Sequence, residues 1–281
     1  MRYKELEIIL SNFKCNKHCP YCTAKSTQWP SVEDDLDKLE LYVEKLKELK
    51  YEFNFLTIGG NGEPSLYPYE KLEKIVKMFY SYDIPIKRIL TSGYIFNCPE
   101  KVKLFNDNGW IFEVTTTHPD FKVDSSTLGY ISNYWNTEEF KKSNIRLNYV
   151  LLNNRKDFII QDINSLLEMY PNVSTVALKL LNINTRTNEI DNPIAEWINN
   201  NAVKKSERDY IKSLLDSEYI YSESEFDTFT WKTKDNRNVY FSWKKEEYGL
   251  HDLVYYGDRF VNYDLSDNIP DKLRTIGGNL C

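Results

Sequence analysis

Three cysteines, Cys15, Cys19 and Cys22, lie within a stretch of eight residues near the amino terminus. Their thiolates are soft ligands that suit iron–sulfur clusters, zinc and copper(I). Three thiolates on one loop can hold three irons of a cubane cluster and leave the fourth iron open, whereas a structural zinc site is closed by four protein ligands. The spacing therefore predicts a metal or cluster site, and an open iron is a place where chemistry can start.

Two other interpretations of the three cysteines stay open at this point. A zinc knuckle needs a fourth ligand, for which His18 and the distant Cys98 are the candidates. The thiols could instead be reduced side chains of the core, because free cysteine is often buried. The zinc alternative corresponds to a zinc-stabilised binding module without catalysis.

A glycine-rich loop is the second chemical signal, with the sequence Gly59-Gly60-Asn61-Gly62-Glu63-Pro64. It follows an apolar run that is typical of a strand, residues 53–58, and precedes a helical pattern. Glycine adopts positive φ readily and lets the backbone approach a ligand closely. Main-chain carbonyls exposed at such a strand end can hold an ammonium group, so the loop is a candidate cofactor site.

These two motifs resemble those of the radical S-adenosylmethionine (SAM) superfamily. The cysteines follow its CxxxCxxC signature, with the aromatic Tyr21 before the last cysteine, and the loop resembles the GNGEP form of its Gly-Gly-Glu motif. The resemblance implies that the three cysteines ligate a 4Fe-4S cluster whose open iron chelates the amino and carboxylate groups of SAM. Reduction then cleaves SAM to a 5′-deoxyadenosyl radical that removes a hydrogen atom from the substrate.

The resemblance also assigns residues and a partner. It implies that Tyr21, Gly60, Gly62 and Glu63 bind SAM. It implies an external one-electron donor such as flavodoxin or ferredoxin. It covers the chain as far as residue 190 and does not extend into the remainder.

Polar residues at three other strands fit the same family. Ser92 lies in Thr91-Ser92-Gly93, which resembles the Thr-Asn-Gly often found after the third strand, although a simple turn capped by hydroxyls explains it equally well. By resemblance, Thr115 or Thr117 at the end of the fourth strand contacts the ribose of SAM. Asn148 belongs to an Asn-x-Val core that recurs in the fifth strand of the molybdenum-cofactor cyclase and viperin branches, and we expect it to bind the cofactor.

The alternation of side chains along the strands predicts a polar interior. With the apolar residues facing the outer helices, one interior is lined by Glu113, Thr115, Arg146, Asn148 and Lys179. Isolated buried charges are costly unless they are paired or bound to a ligand. We therefore expect a partly wet interior that holds SAM and a polar substrate, with Lys179 as a candidate catalytic residue. For Glu113 and Arg146 the alternative is a buried ion pair without a ligand.

Cys98 follows the third predicted strand by a few residues and is a candidate catalytic residue. Some radical SAM enzymes, peptide epimerases among them, use a cysteine thiol to return a hydrogen atom to the substrate radical. The alternative is a partly buried bystander. Cys98 and the terminal Cys281 are the two cysteines outside the motif, too few for the auxiliary clusters of the molybdenum-cofactor cyclases and of many peptide-modifying members.

The composition argues against several classes of protein. The 281 residues carry 42 acidic and 36 basic side chains, a net charge of −6, which makes a nucleic-acid polymer an unsuitable main partner. No run reaches the ~18 apolar residues of a membrane span, and no signal peptide is visible. Five cysteines, three of them clustered, do not make a disulfide framework. We therefore expect the protein to be located in the reducing environment of the cytoplasm.

Strand and helix patterns alternate from residue 5 to residue 181, which predicts right-handed βαβ units and a parallel sheet. The predicted fold class is α/β, a partial (β/α)6 barrel of the TIM type whose carboxyl-terminal strand ends carry the cysteine loop. The predicted strands are residues 5–12, 53–58, 86–90, 110–116, 145–152 and 175–181, and the predicted helices are residues 31–50, 69–82, 99–106 and 158–169.

The pattern changes after residue 190, which predicts a subdomain border. Residues 191–281 are expected to form a helical and antiparallel β unit that covers the substrate site. Its helices are predicted at 194–200 and 207–217, and its two aromatic-rich hairpins at 228–243 and 253–263. The substrate class stays open, because a small, polar, nucleotide-like molecule fits the fifth strand whereas a peptide fits the hairpins and Cys98.

Overall fold

The computed structural model describes residues 2–10, 15, 17, 19–22, 33–60, 62–117, 137–181, 193–222, 228–242, 253–257 and 259–261. Within these ranges, strands and helices alternate as far as the sixth strand. The strands are β1 (Arg2–Leu10), β2 (Glu52–Gly60), β3 (Ile86–Thr91), β4 (Ile111–Thr116), β5 (Ile145–Leu151), β6 (Val173–Leu180), β7 (Ile220–Ser222), β8 (Thr228–Lys232), β9 (Asn238–Ser242), β10 (Leu253–Tyr256) and β11 (Arg259–Val261). The helices are α1 (Leu36–Glu48), α2 (Tyr69–Met78), α3 (Pro99–Asp107), α4 (Glu138–Lys142), α5 (Ile159–Met169), α6 (Pro193–Asn201) and α7 (Arg208–Glu218).

The observed elements lie close to the predicted ones, and capping explains the largest difference. α1 begins at Leu36 rather than at residue 31, because the carboxylate of Asp35 caps it by accepting a hydrogen bond from the backbone N–H of Lys38 at 2.9 Å. The three-residue β7 is too short to give a readable alternation and was not predicted. In the described ranges, none of the helices combines the length and the apolar character needed to cross a membrane.

The first compact unit comprises residues 1–16, 29–112 and 249–281. Its strands follow the order β11-β10-β1-β2-β3, with β11 antiparallel to β10 and the other pairs parallel. Fully buried apolar side chains cover one face of the parallel strands, among them Leu6, Ile8, Leu56 and Ile58. Because side chains alternate along a strand, the other face carries polar residues, among them Glu5, Thr57 and Arg88.

The second compact unit comprises residues 17–28 and 113–248. Its strands follow the order β4-β5-β6-β9-β8-β7, in which β5, β6 and β9 are parallel and β8 and β7 continue antiparallel. The apolar face of β5 packs toward α5. There the hydroxyl of the fully buried Tyr149 donates to the carboxylate of Asp162 at 2.5 Å, and Arg155 Nε donates to the same carboxylate at 3.0 Å. This network fixes which face of β5 is turned toward the helix.

Both predicted hairpins form, and each joins a different compact unit. β10 lies parallel beside β1 in the first unit, and β9 lies parallel beside β6 in the second. Each hairpin thereby supplies partners for the backbone N–H and C=O groups along a strand edge. The hairpin pattern does not reveal this pairing, because the paired strands are far apart in the sequence. The subdomain border near residue 190 stays a prediction.

Candidate functional site

The cysteine motif ends in a tight turn, in which the backbone N–H of Cys22 donates to the carbonyl of Cys19 at 3.2 Å. Cys15 in the first unit, and Cys19 and Cys22 in the second, are half-buried thiols. Among the described residues, no three His, Cys, Asp or Glu side chains are grouped closely enough to hold a metal ion. The joint role of the cysteines as cluster ligands therefore stays a prediction. His18, the alternative zinc ligand, lies outside the described residues.

Tyr21 contacts an aromatic residue from a distant part of the chain. The centroid of its ring lies 5.8 Å from that of Trp197, at an interplanar angle of 42°. Trp197 belongs to α6, and both residues belong to the second unit. Because an aromatic pair contributes about 0.5–1.5 kcal/mol beyond its area burial, α6 helps to hold the turn of the cysteine motif. The sequence gives no sign of this contact, since Trp197 lies beyond the family resemblance.

The glycine-rich loop starts at the end of β2, where the backbone passes close to β1. A Cβ built on Gly60 would lie 3.3 Å from the carbonyl oxygen of Leu10, which is tighter than an ordinary contact. None of the described glycines of this loop has a positive φ. Close backbone approach, and not a left-handed conformation, therefore favours glycine at position 60. Gly62 is half-buried, and Asn61 lies outside the described residues.

Glu63 is almost fully buried, at 2% exposure, and its carboxylate is hydrogen-bonded on both oxygens. Oε1 accepts from the hydroxyl of Thr91 at 2.6 Å and from the backbone N–H of Ser65 at 3.2 Å. Oε2 accepts from the backbone N–H of Ser92 at 2.6 Å. The carboxylate thus joins the glycine-rich loop to the end of β3, two motifs that the sequence presents as separate. These hydrogen bonds hold the loop in place beside β3, and SAM binding by Glu63 stays a prediction.

Two further contacts fix this part of the first unit. Gly93 has a φ of +91°, a left-handed conformation that favours glycine, and its N–H donates to the hydroxyl of Thr91 at 3.0 Å. The ammonium group of Lys101 on α3 donates to the carbonyls of Ser65 at 2.7 Å and Tyr67 at 2.8 Å. The positive φ expected in the glycine-rich loop is thus found in the Thr-Ser-Gly turn. Lys101 belongs to no motif, so sequence reasoning missed it.

The second unit holds the remaining cofactor candidates. Thr115 and Thr117 lie at the carboxyl end of β4 and are half-buried, whereas the neighbouring His118 lies outside the described residues. Asn148 lies within β5 and is 6% exposed. Its Oδ1 has no hydrogen-bond partner among the described residues. A buried acceptor of this kind is available to a ligand or a water molecule.

Glu113, Arg146 and Lys179 form a charge cluster in the second unit. Glu113 is 1% exposed, and its carboxylate lies 3.8 Å from Nε of Arg146 and 3.6 Å from Nζ of Lys179. Both distances exceed that of a hydrogen bond. The guanidinium group of Arg146 lies over the ring of Tyr240, 5.2 Å from its centroid. The Glu113–Arg146 ion pair considered from the sequence is therefore present, and Lys179 extends it.

The polar face of the first unit holds a different network, which sequence reasoning missed. Nη2 of Arg88 donates to both carboxylate oxygens of Glu5 at 2.9 Å, and Nε donates to the hydroxyl of Thr57 at 2.7 Å. The Thr57 hydroxyl in turn donates to Glu5. Hydrogen bonds at these distances are characteristic of a structural network. The sequence feature that could have indicated this network is the occurrence of charged residues at alternate strand positions.

Cys98 immediately precedes α3 in the first unit and is half-buried. Burial raises the pKa of its thiol above the ordinary value, while Lys101 opposes this shift and Glu100 and Glu63 add to it. The thiol is therefore protonated at neutral pH. This is the form from which a hydrogen atom can be donated.

Alkylation of Cys98 by iodoacetamide is expected to follow a pH profile displaced to higher pH than that of the same residue in the urea-unfolded chain. Only the thiolate reacts with iodoacetamide. A raised pKa of the thiol lowers the thiolate fraction at a given pH, so the same rate of alkylation is reached only at a higher pH. Peptide-resolved mass spectrometry of anaerobically labelled protein separates this cysteine from the others. A folded profile that coincides with the unfolded one, or lies at lower pH, would contradict the raised pKa.

The family model of the radical SAM superfamily matches residues 9–162. This match spans more than half of the chain and includes the cysteine motif, the glycine-rich loop and β5. The chain belongs to the radical SAM superfamily. Membership confirms the family predicted from the motifs and, with it, a radical SAM enzyme of open subclass. The radical SAM family implies SAM and an iron–sulfur cluster as cofactors.

Several solved structures are similar to this radical SAM chain. Streptococcus suis SuiB bound to S-adenosylmethionine gives a TM-score of 0.53 at 12% identity, over 88% of this chain and 52% of SuiB. SuiB bound to precursor peptide SuiA gives 0.50 at 13% identity, over 75% of this chain and 47% of SuiB. The protein anSMEcpe with bound AdoMet gives 0.49 at 18% identity, over 63% of this chain and 51% of that protein. The chain spans about half the length of these proteins.

The likeness to SuiB shows the fold alone, because the identity is low. It confirms the predicted fold class, α/β of the partial (β/α)6 TIM-like type. A search of curated protein sequences finds no significant match. The chemistry assigned to this radical SAM protein therefore comes from its family and from its own residues.

Proposed function

We propose that the chain is an enzyme that cleaves SAM reductively and uses the resulting radical to remove a hydrogen atom from its substrate. The observation that carries this proposal is the motif of Cys15, Cys19 and Cys22 inside a segment that matches the radical SAM family model. A 4Fe-4S cluster, when bound, supplies the electron for this cleavage. An external donor such as flavodoxin or ferredoxin is the proposed source of that electron.

The residues of the motif fit such a cluster. They offer three soft sulfur donors, and each is half-buried, so that a cluster can reach it without unfolding the chain. The turn from Cys19 to Cys22 keeps two of the donors in one tight loop, which the Tyr21–Trp197 contact restrains. Three protein ligands leave one iron for SAM.

We assign SAM binding to the glycine-rich loop and to the polar strand residues. Gly60 allows the backbone to pass close to β1, and main-chain carbonyls are suitable acceptors for the ammonium group of SAM. Glu63 holds this loop to the end of β3. The buried Oδ1 of Asn148 supports a ligand contact, since it lacks a partner among the described residues. The other proposed cofactor contacts are Tyr21, Gly62, Ser92, Thr115 and Thr117.

Two substrate classes are proposed for this enzyme. A small nucleotide-like molecule fits the polar face that carries Asn148 and Lys179. A peptide is favoured by one comparison, since a SuiB structure similar to this chain holds precursor peptide SuiA. Lys179 is proposed to orient the substrate, and the protonated thiol of Cys98 to return a hydrogen atom to it.

Anaerobic reconstitution with iron and sulfide, followed by addition of SAM and dithionite, tests the proposal. We expect about four irons per chain and the formation of 5′-deoxyadenosine. One zinc per chain in place of iron would favour the alternative of a zinc-stabilised binding module. Iron-loaded protein that forms no 5′-deoxyadenosine would overturn the proposed reaction.

A further inference from the structure

Polar side chains of the second unit lie in register on one face of its strands. Residues that are paired across neighbouring strands point to the same side. The pairings place two rows side by side on this face, Arg146–Thr175–Asn238–Lys232 and Asn148–Ala177–Tyr240–Thr230. Lys179 extends the same face, because it pairs with Val150, two residues after Asn148.

Among the described strand residues of this face, basic side chains outnumber acidic ones. The strands β4, β5, β6, β8 and β9 contain one acidic residue, Glu113, and three basic residues, Arg146, Lys179 and Lys232. All three basic residues lie on the face described above, and Glu113 is within ion-pair distance of two of them. Within these strands the basic side chains exceed the acidic ones by two, a local balance that favours an anionic ligand.

Three buried polar atoms of this face have no hydrogen-bond partner among the described residues. They are Nε of Arg146, Oδ1 of Asn148 and Oγ1 of Thr230. Asn148 and Thr230 are each 6% exposed. Native proteins satisfy nearly all buried polar groups, so several such atoms on one face indicate positions that a bound molecule completes.

The first unit shows how a structural network in the same chain differs from this cluster. Arg88 donates hydrogen bonds to Glu5 at 2.9 Å and to Thr57 at 2.7 Å. Arg146 instead lies 3.8 Å from Glu113, and its Nε–H keeps its hydrogen-bonding capacity. Glu113 therefore holds the guanidinium group by charge while leaving a donor for a further acceptor.

We propose that Arg146 and Lys179 form a subsite for an anionic oxygen group, a carboxylate or a phosphate, of the substrate. Guanidinium and ammonium groups are the usual donors to such oxygens. Thr230 lies in the adjacent row and binds a neutral polar group of the same molecule, whereas Asn148 in that row keeps its proposed contact with SAM. The inference rests on the proposed function and further specifies that the substrate carries an anionic group.

SAM is a poor match for the charge of this face. Its one carboxylate is outweighed by an ammonium and a sulfonium group, so the molecule is a net cation. An excess of positive charge repels a net cation and attracts a net anion. We therefore assign the anionic group in this subsite to the substrate. The carboxylate of SAM is the alternative occupant, and the experiment must distinguish the two.

Binding of small anions to the full-length, iron-loaded protein tests the inference. Pyrophosphate represents a phosphate group and succinate a carboxylate, and each is titrated anaerobically by calorimetry at low ionic strength, with and without saturating SAM. We expect at least one probe to bind, with an affinity that falls as salt is added. Lys179→Met and Arg146→Met are each expected to lose about tenfold or more in affinity, and Lys179→Arg to keep most of it.

Lys87→Met is the matched control, because Lys87 is also a half-buried strand lysine, but its ammonium group donates to the carbonyl of Phe79 in the first unit. It is expected to leave anion affinity unchanged. The Lys179 side chain is 40% exposed, so its replacement is compatible with folding, and circular dichroism checks this.

Three results would overturn the inference: neither probe binds the wild-type protein, the Lys179 and Lys87 variants bind equally well, or SAM displaces the probe competitively. The proposed function fails separately. If iron-loaded protein forms no 5′-deoxyadenosine but binds anions through Lys179, the proposed reaction is wrong and the proposed subsite is supported. If 5′-deoxyadenosine forms but anion binding does not depend on Lys179, the proposed reaction is supported and the proposed subsite is wrong.

Discussion

Replacing Cys19 with alanine is expected to abolish formation of 5′-deoxyadenosine and to lower the iron content after reconstitution from about four atoms per chain to fewer than about one. The physical reason is that a cluster with one iron reserved for SAM depends on all three protein thiolates. Cys19 also shares its tight turn with Cys22, so its loss removes one of two donors that lie close together. An iron assay and mass spectrometry of 5′-deoxyadenosine on the same sample measure both effects.

Cys98→Ala is the control for this experiment, because it also removes a half-buried thiol but lies outside the motif. We expect it to retain the wild-type iron content. Full iron content in Cys19→Ala would contradict the ligand assignment. An equal loss of metal in the two variants would identify Cys98 as a fourth ligand, as the zinc knuckle requires.

Replacing Glu63 with alanine is expected to lower the free energy of unfolding by about 3 kcal/mol and to weaken SAM binding by about tenfold or more. The carboxylate is almost fully buried and accepts hydrogen bonds from Thr91, Ser92 and Ser65. Alanine leaves these donors without their partner and releases the glycine-rich loop from β3. Urea unfolding and equilibrium dialysis with SAM measure the two quantities.

Glu63→Gln separates the charge of this side chain from its shape. The amide keeps one acceptor oxygen but turns an NH2 group toward a donor, so we expect a loss of stability smaller than that of alanine. Glu100→Gln, at an exposed position on α3, is the matched control and should behave as wild type. Wild-type stability in Glu63→Ala would contradict the hydrogen-bond network. Wild-type SAM affinity combined with reduced stability would limit Glu63 to a structural role.

The order of the strands and helices could be predicted because each element has a local pattern. The strand β5 is an example, since the alternation from Arg146 to Leu151 assigns Tyr149 to one face and Asn148 to the other. In the structure Tyr149 bonds to Asp162 on α5, whereas Asn148 lies on the face with Lys179. Charged residues at alternate positions predicted the polar face, but they did not show how tightly each pair is bonded.

The sequence by itself determined the family of this protein, because the cysteine motif and the glycine-rich loop are short segments whose chemistry depends on contiguous residues. Only the tertiary structure decided which separate segments meet. Glu63 bonds to Thr91, 28 residues away, and Tyr21 packs on Trp197 from α6. The same holds for β10, which pairs with β1, and for the 3.6 Å separation between Glu113 and Lys179. These contacts depend on how the intervening elements pack, and no local pattern of residues specifies that packing.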